Sequence, residues 1–102
     1  MQQQPPPPRK DKKKVVDEVW TPERVRSFLY LLPPEGIDPD FHRLRRAYQS
    51  MRPDDFEDFV QMFREAGGRF DVRGPEGRTL REDLQRHRHG AEFLEVLDRL
   101  GV

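Results

Sequence analysis

The sequence predicts an all-α fold of about five helices, and three observations predict it. Apolar residues recur at i, i+3, i+4 and i+7 in several windows. Helix-start signals, a capping hydroxyl or carboxylate followed by proline, stand directly before those windows. No two alternating runs are long enough to pair as strands: Phe70 and Val72 alternate with charges, but over too few residues. The chain has 102 residues, of which 33% are hydrophobic and 37% charged, enough for a single small core and one domain, residues 15–102.

The first helix begins at Thr21-Pro22 and carries Val25, Phe28, Leu29 and Leu32 on one face, so it is expected over 22–32, stopped by Pro33-Pro34. Trp20, just before the cap, reads either as a hydrophobic staple against Val25 or Arg24 or as an exposed anchor for a partner. The second helix starts at Asp38-Pro39, with Phe41, Leu44, Tyr48 and Met51 as its stripe and Ala47 alongside. Pro53 opens the third. Asp54 and Asp55 sit in its first turn, where the helix dipole favours anions, and Phe56, Phe59, Val60 and Phe63 line its buried face. Gly67-Gly68 end it. Thr79 with Glu82 three residues on is a capping box for the fourth helix, which is short, with Leu80, Leu84 and His87 as its stripe. The fifth starts near Gly90, carries Phe93, Leu94, Val96, Leu97 and Leu100, and closes at Gly101.

Ahead of these helices, residues 1–14 read as a disordered tail. Pro5 to Pro8 favour polyproline II, and Arg9, Lys10, Lys12, Lys13 and Lys14 against Asp11 give +4. Lys plus Arg and Asp plus Glu are nineteen each, so the body carries −4 and the overall zero is a cancellation. Charge also alternates helix by helix: +3 over 39–52, −4 over 53–66, +2 over 78–89 and −2 over 90–100.

Sliding the chain by 34 residues lays Asp58, Phe59, Val60, Met62, Phe63 and Gly67 on Glu92, Phe93, Leu94, Val96, Leu97 and Gly101, each keeping its chemical class. A period of that size with two helices per unit marks stacked helical pairs. The run Glu65-Ala66-Gly67-Gly68-Arg69-Phe70-Asp71-Val72-Arg73-Gly74-Pro75-Glu76-Gly77-Arg78-Thr79 resembles the junction between two ankyrin repeats, with Asp71 at the Asn/Asp position, Gly77 at the turn glycine and Thr79 at the capping threonine. Gly90-Ala91-Glu92-Phe93-Leu94 resembles the start of an outer helix in that family. Where the family has Thr-Pro-Leu-His this chain has Thr79-Leu80-Arg81-Glu82, so it reads as a degenerate member with two units and the first helix as cap. The chain as a whole is also similar to a small family of uncharacterised bacterial proteins with a Lys-rich lead into the first helix.

The ankyrin resemblance implies a non-catalytic module that binds another protein. It places the second and fourth helices in an inner row with Arg43, Arg46, Arg81 and Arg88, beside a finger loop with Arg69, Asp71 and Arg73. Arginine's planar donors suit carboxylates or phosphates, so an acidic segment is the expected partner. The bland alternative is that these charges form ordinary pairs on a solvated surface. The tail offers a second function, nonspecific association with nucleic acid or the ribosome through phosphates. No aromatic is interleaved with the basic positions of the body, so the sequence offers no stacking platform there.

Other chemistry finds little support. His87 and His89, two apart, are a poor metal pair, and with His42 they read instead as solvated or capping residues near helix ends. Asp54, Asp55, Glu57 and Asp58 lack calcium-loop spacing, the glycines form no phosphate loop, and Ser27 and Ser50 have no His/Asp context. With no cysteine, thiol chemistry is excluded. No cofactor and no metal is expected. No apolar run approaches 18 residues and the start has no signal-like apolar stretch, so the expectation is a cytoplasmic protein without membrane association.

Overall fold

The computed structural model describes residues 19–102. The tail, with Arg9, Lys10, Lys12, Lys13 and Lys14, lies outside the described residues. The described chain is all-α, with five helices: α1 (Pro22–Ser27), α2 (Pro39–Ser50), α3 (Pro53–Glu65), α4 (Leu80–Arg86) and α5 (Ala91–Leu100).

The caps form as the sequence expects. Thr21 Oγ1 accepts from Arg24 N–H at 3.1 Å, and the Asp38 carboxylate accepts from the amides of Asp40 and Phe41. In α4 both halves of the capping box are made: Thr79 N–H donates to Glu82 Oε1 at 2.9 Å and Glu82 N–H to Thr79 Oγ1 at 3.2 Å. The Glu82 carboxyl is accordingly held below its ordinary pKa, first by that Thr79 amide and then by Arg73. Helix α3 ends where Gly67 takes φ 86°, and Gly68 N–H returns to the Phe63 carbonyl at 2.8 Å.

The first helix is shorter than its apolar stripe suggests. After Ser27 it tightens into a 3-10 turn, Phe28–Tyr30, and Leu31 is extended at φ −63°, ψ 139°. Two forces end it: Leu32, directly before Pro33, is disfavoured in the helical region, and Arg43 Nε takes the Leu31 carbonyl at 2.9 Å. Leu32, expected on the buried face, is therefore 82% exposed.

Helix α3 is central, packing against α1, α2 and α5, while α4 packs against α5 and α2. The core runs along this contact. Phe56, Phe59, Val60 and Phe63 of α3 are buried with Phe41, Leu44 and Ala47 of α2 and Phe93, Val96 and Leu97 of α5. Edge-on ring contacts tie the layers, Phe56 to Phe93 at 5.2 Å and Phe63 to Phe70 at 5.2 Å between centroids. Between α3 and α4 the chain makes a finger, closed by an isolated bridge between Arg73 and Thr79 and a turn in which Gly77 N–H donates to the Gly74 carbonyl.

Candidate functional site

Helices α2 and α4 each start at the finger and end at the opposite pole, so the predicted arginines divide into two groups. At the finger pole the guanidinium groups are engaged within the chain. Arg69 bonds Asp38 at 3.2 Å and reaches Asp40 at 3.5 Å, while its own amide also donates to Asp40. Arg43 lies 3.6 Å from Asp40 and holds the Leu31 carbonyl. Arg73 bonds Glu82 at 3.0 Å and the Gly77 carbonyl at 2.8 Å, pinning the finger to the start of α4. Arg81 bonds Asp98 at 2.7 Å and also the Val102 carbonyl. Arg78, which the sequence reading passed over, meets the buried Asp83 at 2.7 Å. Asp71 is exposed and has no ion-pair partner among the described residues.

Asp71 and Arg81 do converge on one feature. A groove of about 280 Å³ opens between α2, the base of the finger, α4 and the end of α5. Its walls are Leu44, Phe70, Leu80, Leu97 and Val102, with Asp71, Thr79 and Arg81 as the polar groups.

At the other pole the arithmetic is different. Asp40, Glu82 and Asp83 are taken by arginines at the finger pole, so α2 and α4 have no acidic side chain left for Arg45, Arg46, Arg86 and Arg88. None of these four forms an ion pair among the described residues. Arg45 lies over the Phe41 ring, 5.0 Å from its centroid. His42 follows Phe41 in the first turn of α2, at the finger end. Its Nδ1 is buried without a hydrogen-bond partner, and burial, then Arg46, Arg45 and Arg43, pushes the imidazole below its ordinary pKa. Toward the other end of the two helices, Tyr48 of α2 and His87 at the end of α4 lie near-parallel, ring centroids 5.9 Å apart and planes 13° from parallel. Tyr48 Oη and His87 Nδ1 are 3.2 Å apart, and Phe93 holds Tyr48 edge-on at 4.8 Å.

This stack is what sequence reasoning missed. His87, read as either a member of the α4 stripe or a solvated or capping residue near a helix end, is exposed at the C-cap. Thirty-nine residues separate the two rings, and neither local periodicity nor a motif joins them.

Glu57 bonds Arg99, and Arg64 donates to the Leu100 carbonyl at 2.6 Å, both tying α3 to α5. Asp55 is held above its ordinary pKa by burial and by Asp58 and Asp54, with Arg52 opposing. Trp20 packs 5.7 Å from Phe28, with the Arg24 guanidinium 4.0 Å over its ring. Among the described residues no group of three His, Asp or Glu side chains could hold a metal ion, and no helix is long and apolar enough to cross a membrane. No family model matches the chain, and neither a curated protein nor a solved structure matches it.

Proposed function

We propose that this protein is an ankyrin-like, non-catalytic module that binds another protein at the base of its finger. The observation that carries the reading is the groove of about 280 Å³ with Asp71 and Arg81 in its wall. It is open, apolar at the floor, and wide enough for one aliphatic or aromatic side chain of an extended segment. The adjacencies of α2 with α3, α4 with α5, α3 with α5 and α2 with α4 support the paired-hairpin reading, as does the finger between them. The expected preference for an acidic partner rested on free guanidinium groups. Arg43, Arg69, Arg73 and Arg81 already have internal partners, so the apolar side chain is the anchor and charge is secondary.

Site-specific photo-crosslinking tests this. A photoreactive side chain at Asp71, beside the groove, is expected to capture a discrete protein from the native cell extract. The same group at Gln61, exposed on α3, serves as the control. Adducts of equal pattern from both positions, or none from Asp71, would reject the groove as a docking site.

A further inference from the structure

We infer that a groove between α1 and α3 is the docking site of this chain's own basic segment, Lys12-Lys13-Lys14-Val15-Val16, with the valines on its apolar floor and the lysines along the carboxylates of α3. The inference does not rest on the protein-binding reading, and this groove shares no residue with the one at the finger.

The groove has a volume of about 380 Å³ and combines two chemistries. Trp20, Val25 and Met62 supply apolar surface, and Asp58, Glu65 and Arg26 are its charged groups. Helix α3 is divided lengthwise. Glu57 and Arg64, two turns apart on one face, are tied to α5 through Arg99 and the Leu100 carbonyl. Asp58, Met62 and Glu65 follow one another at helical spacing on the neighbouring face, the one turned to α1. Neither Asp58 nor Glu65 has an ion pair among the described residues. Arg26 is the cation of the wall against these two carboxylates. Of the other charges on α1, Glu23 and Arg24 stand outside the wall, and Arg24 lies over the Trp20 ring. One turn before Asp58, Asp55 joins the same face. Burial, then Asp58 and Asp54, hold its carboxyl above the ordinary pKa with Arg52 opposing, the response of crowded carboxylates short of counter-charge.

What covers such a groove must bring apolar side chains and positive charge together, and the chain carries both directly ahead of it. Trp20, in the wall, follows Val19, the first described residue. An extended stretch from Val19 back to Lys14 reaches about 17 Å, longer than the roughly 10 Å that separates Asp58 from Glu65 along α3. So short a tether holds the segment at an effective concentration on the order of millimolar, which a separate partner of the same chemistry would have to exceed. Asp17 and Glu18 separate the valines from the rim and bear the groove's own sign, and Arg26 is the wall's counter-charge for them. An acidic segment would meet Asp58 and Glu65 with like charge. An uncharged apolar segment would cover the floor and leave both carboxylates without a counter-ion.

Trp20 is the one tryptophan of the chain, so its fluorescence reports on the groove directly. In the full chain V15S/V16S is expected to raise acrylamide quenching of Trp20 about twofold, because the ring loses its apolar cover. K13E/K14E and D58K/E65K should each do the same. The two combined should return quenching to the wild-type level, a rescue that damage to the fold would not produce. The tail positions lie outside the described helices, and Asp58 and Glu65 are exposed, so the substitutions spare the core. Zero-length carbodiimide coupling at roughly 50 mM salt should join Lys12, Lys13 or Lys14 to Asp58 or Glu65. Mass spectrometry of mixed isotope-labelled and unlabelled protein should place those bonds within one chain. The inference is overturned if V15S/V16S leaves quenching unchanged or if the combined charge reversal fails to restore it. It is equally overturned if couplings to Asp58 and Glu65 are no more frequent than to the exposed Glu92 of α5, or if they form only between chains.

Discussion

The two poles of helices α2 and α4 start from the same residue type and end in opposite states. At the finger, Arg43, Arg69, Arg73, Arg78 and Arg81 each hold a carboxylate. Further along the same helices Arg46, Arg86 and Arg88 hold none within the described residues, nor does Arg45, which lies over the Phe41 ring. At the finger the cause is helix polarity. Acidic residues gather where helices begin, as caps and first-turn dipole partners: Asp38, Asp40, Glu82 and Asp83. The finger crosses those same ends, so its arginines find carboxylates. The far ends of α2 and α4 lie where α3 and α5 begin, with Asp54, Asp55 and Glu92, yet no ion pair forms there with Arg46, Arg86 or Arg88 among the described residues. Arginine at the finger therefore builds the fold, and the other four are held by no carboxylate among the described residues.

The sharpest break of each pole comes from a glycine. A Cβ at Gly90 would lie 2.1 Å from the Leu84 carbonyl oxygen, a backbone atom that cannot step aside without unwinding the end of α4. Gly90→Ala is expected to cost about 3 kcal/mol in urea unfolding. A Cβ at Gly74 would meet the Phe41 ring at 2.3 Å, and a ring can tilt where a carbonyl cannot. Gly74→Ala is expected to cost about 1–2 kcal/mol. Equal costs would mean that the far pole is as compliant as the finger.

The arginines themselves sharpen the comparison next. Arg78→Gln leaves Asp83 buried without its partner, and a stability loss of about 1–2 kcal/mol is expected once the partial exposure of the arginine is discounted. Arg86→Gln and Arg88→Gln break no pair, so a change within about 0.5 kcal/mol is expected for either. If the two sets cost the same, the division between structural and available charge is lost.

How much of this was legible in the residues depends on sequence distance. Thr21, Asp38, Pro39, Pro53 and the Thr79–Glu82 box act within one turn, so helix starts and identities follow directly from the string. The stripe ending in Leu32 misled because two prolines and a bond from Arg43, twelve residues beyond Leu31, outweighed local periodicity. The arginine-rich rows were visible as composition, but their division was not. Arg69 finds Asp38 across 31 residues and Arg81 finds Asp98 across 17, and only the packed helices decide such pairings. The Tyr48–His87 stack has the same character, two ordinary residues made into a surface by tertiary contact.

The smallest expected effect is a pH dependence centred on His42. Its neighbours are the cationic Arg43, Arg45 and Arg46 of its own helix, and its Nδ1 is buried without a partner. The neutral imidazole is thus favoured in the folded protein more than in the unfolded chain. A base whose folded pKa is depressed contributes stability above its unfolded value of 6.5, and that contribution is lost as pH falls through the lower folded value. The melting temperature should therefore drop on acidification from neutral pH before the carboxylates titrate. His42→Gln should flatten that first drop and leave the later, acid-side loss from Glu82 in place, because the Glu82 carboxyl titrates below its ordinary range. Arg46→Gln removes the largest of the charges acting on His42 and should shrink the drop without abolishing it, since burial, the stronger cause, remains. A drop untouched by both substitutions would place the titrating group elsewhere.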